Sequence, residues 1–137
     1  MIRHKMIRHK MLFAEFLRFG LVGAFGFVLD TATVYALAQA LGLYGAGVVA
    51  YFVAASANWA LNRVWTFRHR HAGGGALRQW ARFLLSNSAG FIVNRGVYAA
   101  LIAASPLVHA YPVLAVAAGA GAGMVLNFLS ARHFVFR

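Results

Sequence analysis

The sequence contains no cysteine, so a disulfide, a thiolate metal site and a catalytic thiol are all excluded. Acids are almost as scarce: Glu15 and Asp30 stand alone against 13 Lys and Arg. Charged residues make up 11% of the chain and hydrophobic residues 62%, where a soluble domain carries about 25% and about 45–50% respectively. A surface of mixed charge cannot be built from this composition, which argues against a soluble enzyme or a globular DNA-binding domain. The formal charge of +11 points to nucleic acid only if the basic residues form a patch. Here they flank apolar runs instead, the pattern of juxtamembrane charge, and no nucleic-acid partner is expected. None of the six histidines has a metal-ligand spacing on an apolar helix; His69 and His71 flank Arg70 in a polar stretch. No nucleophile–base set, paired carboxylates or glycine-rich phosphate loop is present. The expectation is a protein without enzymatic activity, metal or organic cofactor.

What the chain has in quantity is long apolar sequence. Crossing a bilayer takes ~20 mainly apolar residues, and four runs approach that length: Phe19–Leu43, Tyr44–Leu61, Phe83–Ala104 and Tyr111–Ser130. Gly42–Gly47 reads as a tight turn between the first two runs. Ser105, Pro106 and Pro112 bracket another between the last two. Twelve of the 13 basic residues lie in the leader, the central loop with its flanks, or the C-terminal end; the thirteenth is Arg95. Basic residues are retained on the cytoplasmic side, so both termini are expected in the cytoplasm of a multi-pass inner-membrane protein. Reporters fused after Gly42 or His109 should therefore read as extracytoplasmic, and one at Gly74 as cytoplasmic. Cytoplasmic labelling at His109 would break the four-span arrangement.

The chain also repeats. Displaced by 64 residues, RFGLVGAFGFVLD (Arg18–Asp30) lies over RFLLSNSAGFIVN (Arg82–Asn94). Displaced by 69, NWALNRVWTFR (Asn58–Arg68) lies over NFLSARHFVFR (Asn127–Arg137). The second offset also aligns two stripes of small residues: Ala46, Ala50, Ala54, Asn58 and Asn62 over Ala115, Gly119, Gly123, Asn127 and Ala131. Small residues four apart let helix backbones approach in lipid, so the stripes read as packing surfaces. The expected fold is an all-α membrane protein with four transmembrane helices, arranged as two tandem helical hairpins in a parallel repeat. Residues 1–16 form a basic leader containing the duplicated pentapeptide MIRHK. Repeat one then covers 17–68, a linker 69–76, and repeat two 77–137.

Polar residues inside the runs mark candidate sites. Asp30 and Arg95 lie twelve and thirteen residues beyond Arg18 and Arg82, about 18 Å deep at 1.5 Å per residue. Ionisable groups there cost ~3 kcal/mol or more unless partnered. Equal depth makes them a candidate ion pair, with Arg95 also able to meet an anionic group. Asn58, Asn62 and Arg63 form a second cluster, echoed by Asn127 and Arg132, while Asn94 takes the place of Asp30 in the second repeat. Guanidinium groups bind phosphate through paired donors, and Asn hydrogen-bonds sugar or phosphate oxygens.

The segments RFGLVGAFGFVLD, NWALNRVWTF, RFLLSNSAGFIVN and LNFLSARHFVF together resemble the GtrA-like family of small four-span bacterial membrane proteins. The similarity covers Phe16–Arg137, and NRVWTF at Asn62–Phe67 is its most specific part. Span four departs from it, with Ala131 and Phe134 where span two has Asn62 and Trp65. The resemblance implies translocation of a polyprenyl-phosphate-linked sugar for cell-surface polysaccharide synthesis, alongside a membrane glycosyltransferase. The polar residues singled out above, Asp30, Asn58, Asn62, Arg63, Asn94, Arg95, Asn127 and Arg132, are the candidate site for its phosphate and sugar, Arg95 being outside the family pattern, with a homo-oligomer as a means of widening so narrow a bundle. Two rivals are a non-transporting anchor or regulator of the glycosyltransferase and a proton-coupled small-molecule exporter. Exporters of that kind favour cationic drugs, which a midplane Arg95 would repel.

Overall fold

A computed structural model describes residues 1–70, 75–111 and 113–137. All elements among the described residues are helical: α1 (Ile2–Leu61), a π-helical segment (Asn62–Thr66), α2 (Ala76–Ala104), α3 (Pro106–Ala110), α4 (Val113–Ser130) and a second π-helical segment (Ala131–Val135). Hydrocarbon offers no partner to a peptide group, so an apolar chain must close its hydrogen bonds within each segment, as a helix does. Side-chain hydroxyls follow the same rule. Thr31, Thr33 and Ser88 donate to the carbonyls of Phe27, Leu29 and Leu84, four residues back, at 2.7–2.9 Å. Two compact units result, residues 1–71 and 72–137.

In the first unit α1 doubles back on itself. A straight helix would hold Gly26 and Asn58 ~48 Å apart, yet a methyl group placed on Gly26 would collide with the Asn58 carboxamide. The reversal lies at Gly42, whose φ of 73° and ψ of 170° break the helical geometry. L-residues avoid that region, whereas glycine enters it without a Cβ clash. Sequence patterning spreads the turn over Gly42–Gly47. In the structure Gly42 does it alone, and Leu43 through Gly47 are already helical. One glycine with positive φ suffices to reverse the chain. Gly42→Ala should lower the thermal stability of the hairpin by about 1–2 kcal/mol. Gly47→Ala, with open space around its Cβ, should be neutral or gain up to about 1 kcal/mol.

Phe19, Val22 and Gly26 on the incoming arm and Ala46, Ala50 and Ala54 on the outgoing arm are buried in this hairpin. The first small-residue stripe thus packs against its own partner arm. Phe25, Phe27, Val28, Tyr35 and Val48 remain exposed, the surface expected where lipid is the solvent. The leader is no separate piece: it is helical from Ile2 and continuous with α1, with residues 1–10 exposed. Where it meets the hairpin, the Glu15 carboxylate accepts from Arg70 Nε at 3.2 Å and ties the incoming arm to the chain beyond the π-helical segment.

The second unit packs α2 against α4 in the same way. A methyl group on Gly90 would collide with the Asn127 carboxamide, one on Gly119 would lie 2.6 Å from the Asn94 carbonyl oxygen, and one on Gly123 would lie 2.9 Å from the Gly90 carbonyl oxygen. Gly90·Asn127 is the repeat counterpart of Gly26·Asn58. The connection differs. Where the sequence reads as a tight turn, Pro106–Ala110 forms α3, with Pro106 in its first turn and the Ser105 hydroxyl accepting from Val108 N at 3.3 Å. Those five residues account for the growth of the repeat offset from 64 to 69. Pro112 lies outside the described residues, as do residues 71–74 of the expected linker.

Four spans are expected from the sequence. Two segments are long and apolar enough to cross a membrane among the described residues: Ile2–Thr66, which contains the reversal at Gly42, and Val113–Val135, each with a mean hydropathy of 1.8. α2 has 29 residues, ample length, but Asn87, Asn94 and Arg95 dilute its apolar stretch.

Candidate functional site

Each hairpin ends, opposite its connection, in a π-helical turn. Phe67 N donates to Asn62 O at 2.8 Å, and Phe136 N donates to Ala131 O at 2.7 Å. This i→i+5 closure widens one turn of helix, and such turns are frequent at functional sites. It brings Phe67 against Phe19, with ring centroids 6.3 Å apart, and Phe136 against Phe83, at 6.2 Å. Phe67, Phe83 and Phe136 are among the largest fully buried side chains. The aromatic plugs hold the two chain segments of each hairpin together at this end.

Directly beside each plug an arginine lies over an aromatic ring. The Arg18 guanidinium is 5.8 Å from the Trp65 ring centroid, and that of Arg82 is 5.4 Å from the Phe134 ring centroid. Stacking fixes a guanidinium without consuming its donors, which stay available for an anion. The two hairpins therefore present the same cation at the same structural position. In the sequence Arg18 and Arg82 serve only as depth markers for Asp30 and Arg95 and are not among the candidate site residues. The available signal was that repeat alignment superposes both the arginines and the aromatic residues Trp65 and Phe134.

Repeat-related glycines and asparagines, tilted or edge-on phenylalanine pairs and ring-capped arginines thus recur in both units. The family model for the transmembrane domain of GtrA/DPMS matches residues 18–136. The chain belongs to this family. It is a membrane protein, and the match leaves out residues 1–17 and the last residue. No curated protein matches it.

Within this GtrA/DPMS domain the eight sequence-derived residues separate by role. Asn58 and Asn127 lie against Gly26 and Gly90 in the hairpin seams, each with a buried Oδ1 that receives no hydrogen bond. Asn94 packs over Gly119 and Gly123. These three are positioned as packing residues. Asn62 opens the first π-helical segment and is buried. Arg63 is exposed, 5.7 Å from the Trp59 ring centroid, whereas Arg132 is half-buried with Nη1 3.5 Å from His133 Nε2. The pairing of Asn58 with Arg63 in the sequence does not make one cluster, because the asparagine faces the seam and the arginine points outward. Asp30 is half-buried in the first unit. Arg95 belongs to the second unit, exposed, 5.5 Å from the Phe91 ring centroid. Among the described residues no group of three or more His, Cys, Asp or Glu is placed to hold a metal ion.

Proposed function

We propose that this GtrA/DPMS domain moves a polyprenyl-phosphate-linked sugar from the cytoplasmic to the outer leaflet of the inner membrane, without chemical catalysis. The observation that carries the reading is the duplicated Arg-over-aromatic arrangement, Arg18 on Trp65 and Arg82 on Phe134. A cation with free donors, at the end of an apolar hairpin, suits a ligand that joins a phosphate to a long hydrocarbon tail. Apolar surface farther along the same hairpins, where Phe25, Phe27 and Phe91 are exposed, suits the tail. In this reading the chain crosses four times with both termini in the cytoplasm, the topology that gives each hairpin's arginine end access to the leaflet where the lipid-linked sugar is made. Polar Asn87 and Arg95 in α2 fit a helix bordering a polar path rather than one surrounded by lipid. The partner supplying the substrate is then a membrane glycosyltransferase.

Purified protein in liposomes containing a fluorescent polyprenyl-phosphate hexose tests this. The expected result is protein-dependent leaflet exchange of that lipid, and none of a fluorescent phosphatidylcholine. Absence of exchange, together with co-purification of a glycosyltransferase, would replace transport with an anchoring role.

A further inference from the structure

The two hairpins differ where their ends otherwise match. In the second unit the π-helical turn buries Ala131 and Val135, both 0% exposed. At the same positions the first unit buries Asn62, 1% exposed, and Thr66, 3% exposed. Neither Asn62 Oδ1 nor Thr66 Oγ1 has a hydrogen-bond partner. Burying such oxygens unpaired costs free energy that an apolar pair avoids, as the second unit demonstrates. Packing does not explain them. Among the described residues the other two buried unpartnered side-chain oxygens, on Asn58 and Asn127, lie one in each unit against a glycine and so belong to the shared seam. Helical geometry does not explain them either, because Thr31, Thr33 and Ser88 each bond the carbonyl four residues back. Thr66 does not; the carbonyl four residues behind it, that of Asn62, accepts from Phe67 N instead.

We infer that Asn62 Oδ1 and Thr66 Oγ1 form a subsite for the hydroxyl groups of the sugar, reached when the π-helical turn opens, and that the first unit alone reads the headgroup. This rests on the transport reading above and assigns unequal work to two similar halves. Both units offer a guanidinium to phosphate, and the first adds two buried oxygens able to accept from sugar hydroxyls. A site built to hydrogen-bond a hydroxyl discriminates strongly against a ligand lacking it, because its own buried groups are then left unpaired. A π-helical turn suits this use, since its extra residue can be passed along the helix to change the local register.

The test compares a short-chain prenyl phosphate carrying a hexose with the same prenyl phosphate lacking it, both binding to detergent-purified full-length protein. The wild type should prefer the hexose-bearing lipid by about tenfold or more, the equivalent of one or two hydrogen bonds. Asn62→Ala/Thr66→Val, which copies the second unit, should bind both lipids equally, at the wild-type affinity for the bare phosphate, and melt no lower than the wild type. The isosteric Thr66→Val alone should lose part of the preference. Ala131→Val, on the other unit, should leave the preference intact. A double variant that keeps the preference overturns the subsite, and so does one whose melting temperature falls sharply, which would mean that a buried water satisfies these oxygens. A wild type that binds neither lipid overturns the transport reading itself.

Discussion

Gly119→Ala should cost the second hairpin about 1–3 kcal/mol, as forced overpacking does, and Gly119→Leu should prevent the hairpin from closing. The added Cβ would lie 2.6 Å from the Asn94 carbonyl oxygen and 2.9 Å from Asn94 Oδ1. The first of these is backbone, so relief requires α4 to move away from α2 rather than a side chain to turn. Gly121→Ala is the control two residues along, with nothing within 4 Å of its Cβ; it should be neutral or gain up to about 1 kcal/mol from helix propensity. Thermal melting of the three variants in detergent, followed by helical circular dichroism, measures the contrast. Equal melting temperatures for Gly119→Leu and the wild type would remove the α2–α4 seam described here.

Replacing both Arg18 and Arg82 with Gln should lower leaflet exchange by on the order of 100-fold, because hydrogen bonds to a charged group contribute about 1.5–3 kcal/mol each. Each hairpin should lose only about 0.5–1 kcal/mol of stability, the worth of one partly exposed cation–π contact. Each single variant should fall part of the way. Arg18→Lys should recover less than half of the lost exchange, because an ammonium keeps the charge but neither stacks flat on Trp65 nor offers two parallel donors. Exchange unaffected in the double Gln variant would move the phosphate contact to Arg63, Arg95 or Arg132.

Much was legible in one dimension because lipid makes simple demands. Helicity follows from composition, as an apolar chain without water must satisfy its backbone internally. The repeat was visible because packing backbones closely needs small residues at every fourth position, a pattern that survives as Ala46, Ala50 and Ala54 over Ala115, Gly119 and Gly123. The family resemblance was legible in Asn62–Phe67 for a related reason: Asn62, Thr66 and Phe67 are buried at the π-helical turn.

Other features required three dimensions. That reversal occurs at Gly42 alone depends on a backbone dihedral, and Gly45 and Gly47 are chemically identical to it. That the five extra residues of the second connection form a helix rather than an open turn depends on the capping of Pro106–Ala110. The asparagines divide most clearly. Asn58, Asn62 and Asn127 are one residue type at related positions, and sequence patterning gives all three the same two readings, as members of a packing stripe and as candidate ligands. Burial against Gly26 and Gly90 makes Asn58 and Asn127 part of the seams, while Asn62 lies at the π-helical end beside Thr66. Residue type sets which hydrogen bonds a side chain can make; the neighbours that the fold places around it decide which are made, and which oxygens are left for something else.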